Sequence, residues 1–185
     1  GDIKYQDTNG DGKITPEDRV ILGDADPHFM FGVNANFSWK QFDLMMLFQG
    51  VLKNSTYLTG YAVQPFNYGG TFTTDLMDSW TPQHPGARYP LMRQDQSVNG
   101  DFSDWWLFNS RYVRLKNLQL GYNVPKGILQ RAKIGQLRIY FMMENALTWK
   151  SKAFPKNIDP EIDNWQSGTN FPQMKTYTIG LNLKF

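Results

Sequence analysis

The residues with the clearest chemistry stand near the start of the chain, in the run DTNGDGKITPED at positions 7–18. The run follows the D-x-[DN]-x-[DN]-G pattern of a calcium loop. Asp7, Asn9 and Asp11 bring side-chain oxygens round one point, Gly12 permits the sharp turn, and Lys13 offers its backbone carbonyl. Thr15 takes the ninth position and Asp18 the twelfth, where a longer, bidentate glutamate is usual. Calcium is the cofactor such a set of oxygens would take. The same glycines and carboxylates equally suit a turn without metal. No amphipathic helix flanks the run, so a pair of EF-hands is not expected.

Other chemistry is sparse. With only His28 and His84, no histidine metal cluster can form, and the absence of cysteine excludes disulfides and thiolate sites. There is no G-x-S-x-G elbow and no P-loop. Acidic residues are plentiful, but nothing singles out a pair for glycoside hydrolysis. No catalytic residue is therefore expected, and the chain is not read as an enzyme. A net charge of +2 implies no strong attraction to nucleic acid. Aromatic residues scattered through residues 52–110, among them Tyr57, Tyr61 and Trp80, offer ring faces on which sugar rings could stack. The same rings would serve to pack a loop onto itself.

The elements around these residues read as strands. In residues 176–185, Tyr177, Ile179, Leu181, Leu183 and Phe185 alternate with Thr176, Thr178, Gly180, Asn182 and Lys184, the period of a strand with one apolar and one wet face. Residues 28–40 and 42–51 repeat the pattern. A two-residue turn at Lys40-Gln41 would pair Trp39 with Phe42, Phe37 with Leu44, Ala35 with Met46 and Val33 with Phe48. Residues 111–124 form a further strand whose apolar phase shifts near Lys116-Asn117, which predicts a bulge. Residues 137–149 alternate again, interrupted at Asn145. A one-turn helix is predicted at 128–131 and a short helical turn at 75–80. Residues 1–5 read as the end of a strand and as the middle of a longer chain.

The apolar face sorts its rings by position along the strand. Phe29 and Phe31 lie at one end, Phe37, Trp39 and Phe42 at the other, with aliphatic residues between. Together with Trp149, Tyr177 and Phe185 these describe the aromatic girdles of a membrane-spanning barrel. A transmembrane helix would need a run of about 18 apolar residues, and the sequence has none. The fold class expected is all-β: an antiparallel transmembrane β-barrel segment. Short connections at 40–41 and 125–135 alternate with long ones at 7–27, 52–110 and 150–175, the last three read as extracellular. About five or six strands are too few to close, since the smallest membrane barrels need about eight. A soluble, calcium-dependent sugar-binding β-sandwich is the competing architecture.

With these residues in view, the chain resembles the C-terminal part of SusC/RagA-type TonB-dependent outer-membrane transporters. The matching pieces are GDIKYQDTNGDGKITPEDR (1–19), FDLMMLFQGV (42–51), RYVRLKNLQLGYNVP (111–125), LRIYFMMENALTW (137–149), DPE (159–161) and TYTIGLNLKF (176–185). The resemblance implies a barrel of about 22 strands holding an N-terminal plug that has no counterpart here. It implies import of oligosaccharides or peptides driven through TonB, and a SusD-like surface lipoprotein as a lid. The partners expected are thus the remaining barrel and plug, that lipoprotein, TonB, membrane lipid and the cargo.

Overall fold

A computed structural model describes residues 1–24, 26–58, 60, 73–93, 99–130, 133–161, 171 and 173–185. The chain divides into two compact units. One, residues 28–53, 111–150 and 173–185, holds the long strands; the other, residues 1–27, 54–110 and 151–172, gathers the long connections.

The strand unit is one antiparallel sheet in the order β1-β2-β5-β6-β7. Its strands are β1 (Phe29–Trp39), β2 (Phe42–Lys53), β5 (Tyr112–Asn123), β6 (Gln136–Lys150) and β7 (Thr176–Lys184). β1 and β2 meet in the register expected from their apolar residues, Trp39 opposite Phe42 and Val33 opposite Phe48. The turn has two residues although Lys-Gln is a poor turn pair. Lys40 makes it by entering the left-handed region, at φ 53°. α1 (Lys126–Leu129) lies in the connector between β5 and β6, slightly ahead of the predicted turn, and anchors through buried Leu129.

The predicted bulge is present. Leu115 pairs with Leu147 and Asn117 with Glu144, leaving Lys116 on β5 against Asn145 and Ala146 on β6. Asn145 takes φ 51°, and its Nδ2 donates to the Met174 carbonyl at 3.0 Å. The phase shift read in the sequence is therefore one inserted residue. On either side of it Val113, Leu115, Leu118, Leu120 and Tyr122 keep to one face.

The loop unit contains more structure than its composition suggests. β3 (Ser55–Tyr57) pairs with β4 (Leu107–Asn109), and 3-10 turns run over Pro16–Asp18, Thr74–Met77 and Asp104–Trp106. Leu58, Leu76, Tyr89, Trp106, Phe108 and Phe154 form a buried cluster. Asn99 is a buried polar node beside it. Its Oδ1 accepts from Ile3 N at 2.8 Å, and its Nδ2 donates to Asp2 Oδ1 at 3.0 Å and to the Leu91 carbonyl at 3.1 Å. Its own carbonyl accepts from Trp106 Nε1 at 2.8 Å. This explains why residues 1–5, expected to end a strand, lie outside any strand: their polar partners are side chains and loop carbonyls, and no ladder is available to them.

Candidate functional site

Register and alternation together assign every sheet residue to a face. On one face the pairing rows are apolar right across the sheet. They read Trp39–Phe42–Tyr122–Ile139–Leu181, then Phe37–Leu44–Leu120–Phe141–Ile179, then Ala35–Met46–Leu118–Met143–Tyr177, and then Val33–Phe48–Leu115–Leu147. Among the described residues of the strand unit, none forms a second layer over this face. Trp39 is 67% exposed, Tyr177 61%, Phe37 58% and Phe185 88%. Phe29, Phe42 and Trp149 are exposed as well, while Phe31 is half-buried, its ring lying where a Cβ on Gly50 would stand. The sorting of rings toward the strand ends is incomplete, because Phe48 and Phe141 occupy interior rows. An uncovered apolar face of this extent is foreign to a water-soluble sandwich, which buries such a face against a second sheet.

The opposite face is mainly polar. One row runs Ser38–Asp43–Gly121–Tyr140–Gly180, and the next, Asn36–Met45–Gln119–Met142–Thr178, sets two methionines among polar residues. Arg138 donates from Nε and Nη2 to the two carboxylate oxygens of Asp43, at 3.1 and 2.5 Å. Asn123 Nδ2 adds a third donor to Asp43 at 3.2 Å, and the Arg138 guanidinium lies 5.3 Å from the Tyr140 ring centre. This cluster lies flat on glycine. A Cβ on Gly121 would meet Arg138 and Asp43, and one on Gly180 would meet the Tyr140 ring. Sequence reading missed the arrangement; the signal available was a glycine in the polar phase of each of the two strands, β5 and β7, that flank β6. Arg114 is buried at 1% exposure, with its Nε donating to Thr148 Oγ1 at 2.8 Å.

In the loop unit, the calcium-like run closes on its own backbone. Asp7 accepts from Gly10 N at 2.6 Å and Gly12 N at 2.7 Å, Asn9 Oδ1 from Asp11 N at 2.9 Å, and Asp11 Oδ1 from Lys13 N at 2.8 Å. Gly10 and Gly12, at φ 78° and 79°, take the left-handed turns that this needs. Asp18 accepts from Thr15 N at 2.7 Å, Thr8 N at 2.8 Å and Asn9 N at 3.4 Å. Those donors, Thr15 first, hold its carboxyl below the ordinary aspartate range. Thr15 caps the following 3-10 turn. Among the described residues, no three of His, Cys, Asp and Glu gather closely enough to hold a metal ion.

The loop aromatics divide. Tyr89 and Trp106 are core, and Tyr89 ionises above its usual value chiefly because it is buried. Trp80 is half-buried with Gly1 directly against its indole. Tyr57 stacks on Phe102 at 5.0 Å between ring centres, and Phe102 is 79% exposed. Phe102 was not singled out from sequence, although an aromatic between Asp101 and Ser103 in a loop was a usable sign. Tyr61 lies outside the described residues.

Comparison with known proteins agrees with this geometry. No family model matches the chain. It is 30% identical to TonB-dependent receptor P3 of Formosa agariphila, over 98% of the chain and 19% of the receptor. It is 31% identical to TonB-dependent receptor P26 of the same organism, over 100% of the chain and 20% of the receptor. TonB-dependent receptor SusC of Bacteroides thetaiotaomicron is 24% identical over 98% of the chain and 17% of that receptor. The chain thus spans about a fifth of the length of the curated relatives it matches. Among solved structures, the RagAB peptide importer in its open-open state superposes with a TM-score of 0.68 at 26% identity, over 89% of this chain and 18% of that one. The closed-closed state gives 0.69 at 25% identity, over the same 89% and 18%. The chain is accordingly a relative, along its whole length, of TonB-dependent outer-membrane receptors of the SusC/RagA type, and its sheet is an arc of such a β-barrel.

Proposed function

We propose that this chain is the C-terminal part of the wall of a TonB-dependent transporter that imports oligosaccharides or peptides through the outer membrane. The observation that carries the reading is the two-faced sheet: apolar rows outward across five strands, polar rows on the other side, and two open edges at β1 and β7. Open edges need partners, and further strands of the same barrel supply them. The apolar rows, with Phe29, Phe31, Phe37, Trp39, Phe42, Trp149, Tyr177 and Phe185, meet lipid. The polar rows face a lumen occupied by a plug through which TonB acts.

The loop unit lies on the extracellular side in this reading, where a SusD-like lipoprotein covers it and cargo meets Tyr57, Phe102 and Trp80. What supports a peptide cargo is the similarity to a peptide importer; what supports a sugar is the exposed Phe102 ring, stacked on half-buried Tyr57. Deleting the whole receptor in its source organism, then supplying defined peptides or oligosaccharides as sole nutrient, tests the reading. Uptake of one class is lost, and a proton uncoupler abolishes it in the parent strain. Uptake of both classes unchanged after deletion removes the proposal.

Calcium at the Asp7–Asp18 turn is a separate proposal, supported by the spacing of Asp7, Asn9, Asp11, the Lys13 carbonyl, Thr15 and Asp18. Calorimetric titration gives saturable heat with a dissociation constant of about 0.1–1 mM, the range of extracellular calcium modules. No heat across that range excludes it.

A further inference from the structure

We propose that the end of the sheet formed by the short turns is a binding surface for the phosphate headgroups of anionic glycerophospholipids. The inference rests on the outer-membrane barrel reading and adds to it a lipid class and a location.

Three segments close that end: the turn at 40–41, the connector at 124–135 and the end of β7. Hydrogen bonds set them side by side. Asn123 N donates to the Gln41 carbonyl at 2.8 Å, Val124 N to the Leu137 carbonyl at 2.9 Å, and Gly135 N to the Lys184 carbonyl at 2.8 Å. These segments carry Lys40, Lys126, Arg131, Lys133 and Lys184 and no aspartate or glutamate. Arg131 lies outside the described residues, and the four lysines are all exposed. Asp43, the acid closest to them in sequence, lies on the polar face, which Lys184 shares, and is engaged by Arg138 and Asn123.

One of the cations is placed on the lipid flank. Lys40 Nζ lies 4.7 Å from the centre of the Trp39 ring, and Trp39 is the most exposed ring of the apolar row that ends the sheet. A cation held on an indole at the border of an apolar belt sits where a headgroup phosphate meets its acyl chains. Ile128, exposed in α1, adds apolar surface between Lys126 and Lys133. A free phosphate would gain nothing from Trp39, Phe42 or Ile128, whereas a lipid engages the rings and the lysines together. Of the 17 acidic residues, only Asp43 and Glu144 belong to the strand unit.

The test uses the complete receptor in nanodiscs of phosphatidylcholine with a minor fraction of phosphatidylglycerol. Native mass spectrometry reads the lipids retained on the protein. The parent retains phosphatidylglycerol in excess of its share. K40Q lowers that excess roughly fivefold, as does each further lysine removed. The quadruple Lys→Gln variant loses it, a quadruple Lys→Arg variant keeps it, and raising the salt weakens it. The proposal is overturned if the Gln variant retains the same excess, or if millimolar inorganic phosphate displaces the lipid completely, which marks a free-anion site. Heat-modified gel mobility reports that each variant is folded. A parent receptor that fails to insert even into pure phosphatidylcholine refutes the barrel reading itself, an outcome distinct from insertion without lipid preference.

Discussion

The two units treat the same residue type in opposite ways. The loop unit builds its core from rings turned inward, with Trp106 1% exposed, Phe154 1% and Tyr89 3%, and leaves others such as Phe102 outside it. The sheet turns its rings outward, and its most exposed residues are also among its most apolar. One sequence thus holds two solvent designs. The loop unit is an ordinary water-facing structure with a small core of its own. Among the described residues the sheet has no buried cluster of its own and depends on what surrounds it. An aromatic residue counted from composition alone says nothing about which design it serves; the period of its neighbours does.

Three measurements would break or sharpen that contrast. The largest effect is expected from Trp106→Ala. Emptying the centre of the loop core costs about 3–5 kcal/mol and also removes the donor to Asn99. Hydrogen exchange of the loop unit should rise steeply while the sheet amides stay protected, and equal loss in both units would mean that they are not separate cores. Next comes a pair of neighbours on β5. Leu120→Arg places a charge among the apolar rows and should cost about 2–4 kcal/mol of folding into lipid vesicles, whereas Gln119→Arg, on the polar face, should be close to neutral. Similar costs at the two positions would contradict the assignment of faces.

The smallest effect is at Asp18. Its carboxyl is more acidic folded than unfolded, so its hydrogen bonds contribute fully above the ordinary aspartate value of 3.8 and are lost as pH falls below it. Proteolysis of residues 7–18 should therefore accelerate only in strong acid, and Asp18→Asn should flatten the pH dependence. An unchanged acid profile in that variant would assign the loosening to other carboxylates.

The sheet was legible in the sequence because its determinants are local. Alternation gave the faces, the Lys40-Gln41 turn gave the hairpin register, and the slip at Lys116 gave the bulge. The loop unit was read only as a long connection with a helical turn near Asp75, because its core is assembled from Leu58, Leu76, Tyr89, Trp106 and Phe154, residues far apart along the chain and without a period. The node at Asn99 was invisible for the same reason: its partners are Asp2, Ile3, Leu91 and Trp106. The calcium-like spacing was plain to read, yet spacing does not say whether Asp7 and Asp18 turn to a cation or, as the structure has them, to backbone N–H groups.

The bare Cα atoms of Gly121 and Gly180 have a geometric consequence. They let an arginine, a carboxylate and a phenol recline along the polar face where side chains would otherwise stand upright. Alanine at either position would prop its neighbour away from the sheet, so these two hydrogens set how far that face projects.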